Sequence, residues 1–283
     1  MENRQRLTIL MVPPGLWLLL LFLVPLGVMA LYSFRPAAPD AHAARLTLDN
    51  YREFFANTAY QRLLLRSLWI ASLVAAVSVV LAYPLAYFLA FRAGPWRVTL
   101  LTILIVPAWT SYLLRILSWR LILGSNGILN SALISLGLRE EAAPILLYSQ
   151  AAVTVTLIYV WIPFVALPIF ASLERINKSL LEAAADLGCP PWQAFLRVTL
   201  PLSMPGVLAG FFFAFIPTVG EYVTPLLVGG SQGIMYGNVI QDQFLRGLNW
   251  PLGSAMSLVM LVVVFVLMAI ALRFVRLREL VEV

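Results

Sequence analysis

The sequence predicts an all-α integral membrane protein of about six transmembrane helices, with one polar helix-turn-helix hairpin on its inner side. Three observations lead there. Of the 283 residues, 61% are hydrophobic and 11% charged, where a soluble domain carries roughly 25% charged residues. Six apolar stretches, at 9–31, 68–91, 98–123, 146–173, 204–228 and 254–273, are long enough to cross a hydrocarbon core, which takes about 20 residues. Between the fourth and fifth of these lies a polar segment, 174–203, whose residue pattern is that of two short helices around a tight turn.

The first span opens with Arg4 and Arg6 and contains Pro13, Pro14 and Pro25 without an A-x-A-like cleavage site, so it reads as a retained span and not a removed signal. Later spans carry Pro84, Pro107, Pro163, Pro168, Pro217 and Pro225. Prolines at membrane depth are tolerated where neighbouring helices or a water-filled cavity satisfy the freed backbone carbonyls. That favours a packed bundle around a pathway. No Ser- or Gly-rich linker, low-complexity tract or internal repeat divides the chain, which reads as one transmembrane domain over 1–283 with a core bundle at about 67–273.

Orientation follows from Lys and Arg in short loops. With the N-terminus inside, the inner side holds Arg4, Arg6, Arg92, Arg97, Arg175, Lys178, Arg197, Arg273, Arg276 and Arg278, while the two later outer loops hold Arg139 and Arg246. The first outer loop carries Arg35, Arg45, Arg52, Arg62 and Arg66, partly balanced by Asp40, Asp49 and Glu53, and weakens this count without reversing it. Both termini and the 174–203 loop are therefore expected in the cytosol. The net charge of +6 reads as topology; no basic stretch interleaved with exposed aromatics suggests nucleic-acid binding.

In the loop, Ser179 and Glu182 have the S-x-x-E spacing of a capping box, which satisfies orphan amides at a helix start. Leu180, Ala184 and Leu187 fall on one apolar stripe, with Glu182 and Asp186 one turn apart on another face. Gly188 suits a helix C-terminus because it takes the left-handed conformation. Pro190 and Pro191 stop that helix and open a second, from Trp192 to Val198, which Pro201 is expected to end. An amphipathic hairpin at a membrane face needs a partner for its stripe; an interfacial anchor would be richer in Lys and Arg.

The run Glu182-Ala183-Ala184-Ala185-Asp186-Leu187-Gly188, nine residues, then Val198-Thr199-Leu200-Pro201 resembles the cytoplasmic EAA loop of ATP-binding-cassette importer permeases, with Val198 standing for the usual Ile. Leu48-Asp49-Asn50-Tyr51, Val106 to Ser111, Leu114-Arg115, Val219-Gly220-Glu221-Tyr222, Gly229-Gly230 and Asn249-Trp250-Pro251 look like the spermidine/putrescine branch of that family, from about residue 46 onward. The resemblance implies an inner-membrane subunit that pairs with a second, similar permease, two ATPase subunits and a soluble substrate-binding protein. It implies that the loop couples to the ATPase, with Glu182 paired to a basic group there, and that ATP and Mg belong to the ATPase, leaving this chain without a cofactor or catalysis of its own. Related branches carry sulfate, molybdate, iron, opines or amino acids, so a permease for such a solute is the alternative.

Absences agree. The one lysine, Lys178, follows Glu174-Arg175-Ile176-Asn177, so no G-x-x-x-x-G-K-[ST] phosphate loop exists. A single Cys189 and a single His42, on opposite expected sides, exclude a disulfide or a His/Cys metal site within the chain. A secondary transporter would not need the hairpin, and an intramembrane enzyme would need convergent acids, histidines or a metal.

Ionisable groups inside spans are costly and so are candidates for the pathway. Glu221 lies among Pro217, Gly220 and Pro225 in the outer part of the fifth span, where a carboxylate can neutralise a cationic substrate. Tyr222, Trp109 and Tyr112 could offer aromatic faces to an organic ammonium ion. Arg115 and Trp119, four residues apart, can stack on one helical face; the other reading of Arg115 is that it and Arg120 snorkel to the outer headgroups from the end of the third span. Glu221 argues for a cationic cargo and Arg115 for an anionic one, and the sequence leaves open which faces the pathway.

Overall fold

The computed structural model describes residues 2–36, 46–138 and 147–281; for 2–10 and 274–281 it describes the helical backbone without side-chain surroundings. Asp40, His42, Arg45 and Arg139, and the first residue of the expected fourth span, lie outside the described residues. Those described form helices and turns without strands. Among the described residues, five helices are long and apolar enough to cross a membrane, or six when one sharply bent pair counts as a span.

The described chain falls into two compact units. The first comprises Met1–Arg62 and Val239–Val283. Here α1 (Glu2–Ser33) packs along α12 (Trp250–Val281), and α2 (Asp49–Ala56) packs on α12 as well. The Leu48-Asp49-Asn50-Tyr51 segment closes α1: the buried Asn50 donates Nδ2 to the carbonyls of Ser33 and Arg35, both at 2.8 Å, and the Tyr51 hydroxyl meets Ser33 Oγ at 2.8 Å. Orphan carbonyls at a helix end need such partners, above all where water is scarce. Asn249 caps α12 by accepting from the Leu252 amide, with Pro251 in its first turn.

The second unit is Leu63–Asn238. It holds most of α3 (Thr58–Phe91), α4 (Arg97–Ile105), α5 (Tyr112–Leu123), α6 (Ile128–Ser135), α7 (Gln150–Glu174), α8 (Lys178–Asp186), α9 (Pro191–Ala194) and α10 (Leu200–Val219), and the start of α11 (Tyr236–Leu245). Its apolar centre gathers Ile70 and Val74 of α3, Ile116 and Leu123 of α5, Ala152, Val153 and Leu157 of α7, and Val228 and Met235.

The closest packing in this unit is α7 against α10. A β-carbon on Gly206 would stand 2.4 Å from Ser172 Cβ and 2.5 Å from the Pro168 carbonyl, and one on Gly210 would stand 3.0 Å from the Val165 carbonyl. Gly206-Val207-Leu208-Ala209-Gly210 is a G-x-x-x-G, whose bare face lets backbones touch inside a membrane. Apolar length and charge bias alone do not single it out.

Two expected spans are not simple helices. The third is broken: a tight helical turn at Val106–Trp109 and an extended Thr110-Ser111 separate α4 from α5, and the two halves meet at 88°. Pro107 and the extended dipeptide after Trp109 account for it, since a proline removes a helical hydrogen bond and its ring strikes the preceding turn. The fifth begins earlier and ends sooner than expected. Its helix is continuous over Pro191–Val219, so Pro201 opens α10 and does not end the helix before it. A wide five-residue turn at Phe195–Thr199, closed by the Leu200 amide on the Phe195 carbonyl, leads into Pro201. A widened turn of this kind absorbs the missing amide and the ring of a proline.

Candidate functional site

Two places carry candidate residues. The first is the hairpin. Asn177 caps α8, its Oδ1 accepting from the Ser179 amide at 3.1 Å. The expected capping box of Ser179 and Glu182 therefore does not form: asparagine is as good a cap, and it lies two residues upstream of Ser179. Glu182 stays exposed and has no ion-pair partner among the described residues.

Gly188 closes α8 with φ +75°. Its amide donates to the Ala185 carbonyl at 2.9 Å and the Cys189 amide to Ala184 at 3.0 Å, the paired bonds of a Schellman ending. A β-carbon there would meet nothing within 4 Å; what requires glycine is the backbone conformation alone. Cys189 is half-buried in the turn, with Sγ 3.7 Å from Gln193 Oε1.

The stripe faces outward. Leu187 is 87% exposed and Leu180 47%, with Ala183 and Asp186 exposed and Ala184 half-buried. Trp192 and Leu196 of the second arm are exposed too. So much apolar surface on a polar hairpin marks an interaction face. Nearby, Arg97 at the start of α4 pairs with Glu174 at the end of α7 and lies over the Phe170 ring, 5.4 Å from its centroid. In the sequence Arg97 counts only toward topology, because its partner is distant in the chain.

The second place is the break after α10. The chain leaves the helix at Gly220, and Glu221 and Tyr222 have no regular structure before a new helical turn starts at Val223. Glu221, 9% exposed, caps that turn: Oε1 accepts from the Val223 amide at 2.8 Å and the Thr224 amide at 3.0 Å. Oε2 accepts from the Tyr112 hydroxyl at 2.6 Å, and that hydroxyl lies 2.9 Å from Thr224 Oγ1. Asn238 holds the neighbouring backbone, donating Nδ2 to the Tyr222 carbonyl and accepting from the Met235 amide. Gly237 fits under it only because it lacks a β-carbon, which would lie 2.5 Å from the Gly220 carbonyl.

Arg115 sits one turn after Tyr112, its guanidinium 5.9 Å from the Tyr112 ring centroid, with Nη1 3.5 Å from the Val160 carbonyl and a buried Nε that has no hydrogen-bond partner. Arg115 does not stack on Trp119, which packs edge-on against Tyr159 of α7. Of the candidate residues, the structure brings Glu221, Tyr112 and Arg115 together. Trp109 is 82% exposed and Tyr222 42%, and neither ring stacks on that of Tyr112. Thr224 and Asn238 complete the arrangement without having stood out in the sequence; Thr224, in Thr-Pro at a helix start, carries a capping signal.

A bundle of proline-broken membrane helices, with an exposed apolar hairpin on one loop and a buried acid at a break, is the form of a transport permease. The chain belongs to the family of binding-protein-dependent transport system inner membrane components, whose profile matches residues 7–281. It is a multi-pass inner-membrane protein. It is similar to the spermidine/putrescine transport system permease protein PotB of Haemophilus influenzae, 36% identical over 86% of this chain and 84% of that one. Against PotB of Escherichia coli strain K12 the identity is 37%, covering 87% of this chain and 90% of the relative. Among solved structures, a bacterial ABC transporter involved in the import of the acidic polysaccharide alginate superposes with a TM-score of 0.72 over 97% of this chain and 96% of that one, at 20% identity. That likeness concerns the fold.

Proposed function

We propose that this chain is the translocation subunit of an ATP-driven importer whose cargo is a polyamine of the spermidine/putrescine class. The observation that carries the cargo is the identity with polyamine permeases along nearly the whole chain, and the buried Glu221 agrees with it. A desolvated cation in the bilayer costs several kcal/mol unless fixed charge replaces its water. An ionised carboxylate offers about four acceptor positions; chain donors fill two on Oε1 and one on Oε2, leaving one for an ammonium N–H.

In this reading the chain performs no chemistry. A separate pair of ATPase subunits binds ATP and Mg, a soluble protein delivers the amine, and a second permease subunit completes the pathway. The hairpin, with both termini, lies in the cytosol, and its exposed Leu180, Leu187 and Trp192 dock on an ATPase. Uptake of radiolabelled spermidine by the reconstituted complex tests the cargo. Glu221→Gln is expected to lower that uptake about tenfold, as for loss of a charged partner in a desolvated site. Unchanged uptake in this variant, or transport of sulfate in place of spermidine by the parent complex, overturns the assignment.

Glu182 has its own test. Because Asn177 already caps α8, Glu182 is free to meet a basic group on the ATPase. Glu182→Gln and Glu182→Ala are therefore expected to lower uptake alike, by about tenfold where an interfacial charge pair is lost. Parent-like transport by the Gln variant refutes the ion pair.

A further inference from the structure

Tyr112 joins two breaks. It is the first residue of α5, just beyond the 88° bend in the third span, and its hydroxyl reaches the acid at the head of the turn that follows α10. The two segments are 109 residues apart in the chain. Ser111, which occupies the N-cap position of α5, makes no side-chain cap. The hydroxyl bond to Glu221 is thus a specific polar tie between the start of α5 and the 221–224 segment.

The oxygens of Glu221 are not equivalent. Oε1 is held by two backbone amides of its own turn and is fixed as long as the turn persists. Oε2 is held from another element, by a neutral hydroxyl. An ammonium ion is a stronger partner for a carboxylate than a phenol is, because it adds the attraction of a full opposite charge to the hydrogen bond that either donor makes. An amine that enters at the open position of Oε2 therefore competes with the Tyr112 hydroxyl for that oxygen and loosens it, and Thr224 Oγ1, 2.9 Å away, is a partner the hydroxyl can keep as it goes.

We infer that the Tyr112 hydroxyl is a displaceable clasp, which ties α5 to Glu221 in the empty permease and lets go when a substrate ammonium takes its place on the carboxylate. Arg115 gives the release a second effect. Its guanidinium rides on the same helix, beside the Tyr112 ring, with Nε unpartnered. Freeing α5 from Glu221 frees this cation to move off with it, removing a charge that repels the cargo. Glu221 and Arg115 then act in turn: the acid receives the amine, and the arginine withdraws. Tyr112 is a positioning residue here, acting through Glu221. The displacement half of this inference rests on the polyamine reading; the tie itself does not.

The test uses the reconstituted complex. Tyr112→Phe keeps the ring and removes the hydroxyl. Without substrate or binding protein, it is expected to raise ATP hydrolysis and to speed amide exchange at Val223 and Thr224, each about tenfold for loss of one hydrogen bond to a charged group. A lining residue with no tie would lower uptake and leave both substrate-free readouts at parent values, and that result overturns the clasp. A second measurement needs no variant: saturating spermidine is expected to speed amide exchange in the first turn of α5 of the parent complex, and unchanged exchange refutes the displacement. If the cargo is not a polyamine, the parent complex takes up no spermidine while Tyr112→Phe still activates hydrolysis; unchanged exchange in a complex that does take up spermidine is the failure of the displacement itself, so the two failures read differently.

Discussion

Replacing Gly188 with valine is expected to abolish uptake while the chain still folds into the membrane. Gly188 holds φ +75° with open space where a β-carbon would point, so the variant meets no clash. It meets conformational cost, on the order of 1 kcal/mol or more for a side chain in the left-handed region, and a β-branched one is the worst case. The cheapest relief is to unwind the Schellman ending and swing the second arm. That misaims Leu187 against Trp192 and Leu196, the exposed apolar surface proposed above to dock on an ATPase. Uptake and binding-protein-stimulated ATP hydrolysis should both fall more than tenfold, which corresponds to about 1.4 kcal/mol of lost docking free energy. Gly188→Asn, which tolerates the left-handed region, should retain much of the parent activity. Parent-like stimulated hydrolysis in the valine variant would show that the turn does not aim the hairpin.

The other large effect is expected at Gly206, where the failure is one of folding. A β-carbon 2.4 Å from Ser172 Cβ and 2.5 Å from the Pro168 carbonyl cannot be relieved by a side-chain rotation, since one obstacle is backbone. Gly206→Val must push α10 off α7, at a cost of about 1–3 kcal/mol for overpacking, and the two backbones then no longer touch along their bare faces. The detergent-solubilised protein should unfold several degrees lower and accumulate poorly in the membrane. Gly210→Ala, whose nearest neighbours lie at 3.0 and 3.1 Å, should show a smaller drop. Equal melting temperatures for Gly206→Val and parent would refute the packing argument.

Much of the architecture is legible because the bilayer imposes it. Twenty apolar residues in a row are a property of a single segment, and the first, second, fourth and last spans fall close to where the sequence places them. Gly188 is legible for a similar reason, since one residue type fits one backbone conformation. The misreadings concern choices between local signals of nearly equal strength. Asn177 competes with Ser179 for a single cap, and the helix begins at the earlier of the two. Pro201 can end a helix or begin one, and the widened turn at Phe195–Thr199, which decides between them, has no sequence signature. Pro107 is a visible breaker, but the size of the bend depends on the extended Thr110-Ser111 that follows. The polar centre is half legible. Glu221 stands out by its cost inside a span, whereas its donors do not: the Tyr112 hydroxyl arrives from a distant helix, and no periodicity pairs residues 109 positions apart.

The widened turn between hairpin and span has a geometric consequence. The helix that contains it is continuous from Pro191 to Val219, about 43 Å at 1.5 Å per residue. Its near end carries the second arm of the hairpin, and its far tip lies two residues before Glu221. The extra residue in the Phe195–Thr199 turn shifts the phase of the rod by about 100°, one residue's share of a 3.6-residue turn, so Trp192 points elsewhere than a regular helix would aim it. Angular setting and length are thereby encoded separately: the bulge sets which face the hairpin arm presents, and the α7 packing at Gly206 and Gly210 holds the rod along its middle. A tilt of a few degrees at one end is then a displacement of ångströms at the other, without any change in the rod itself.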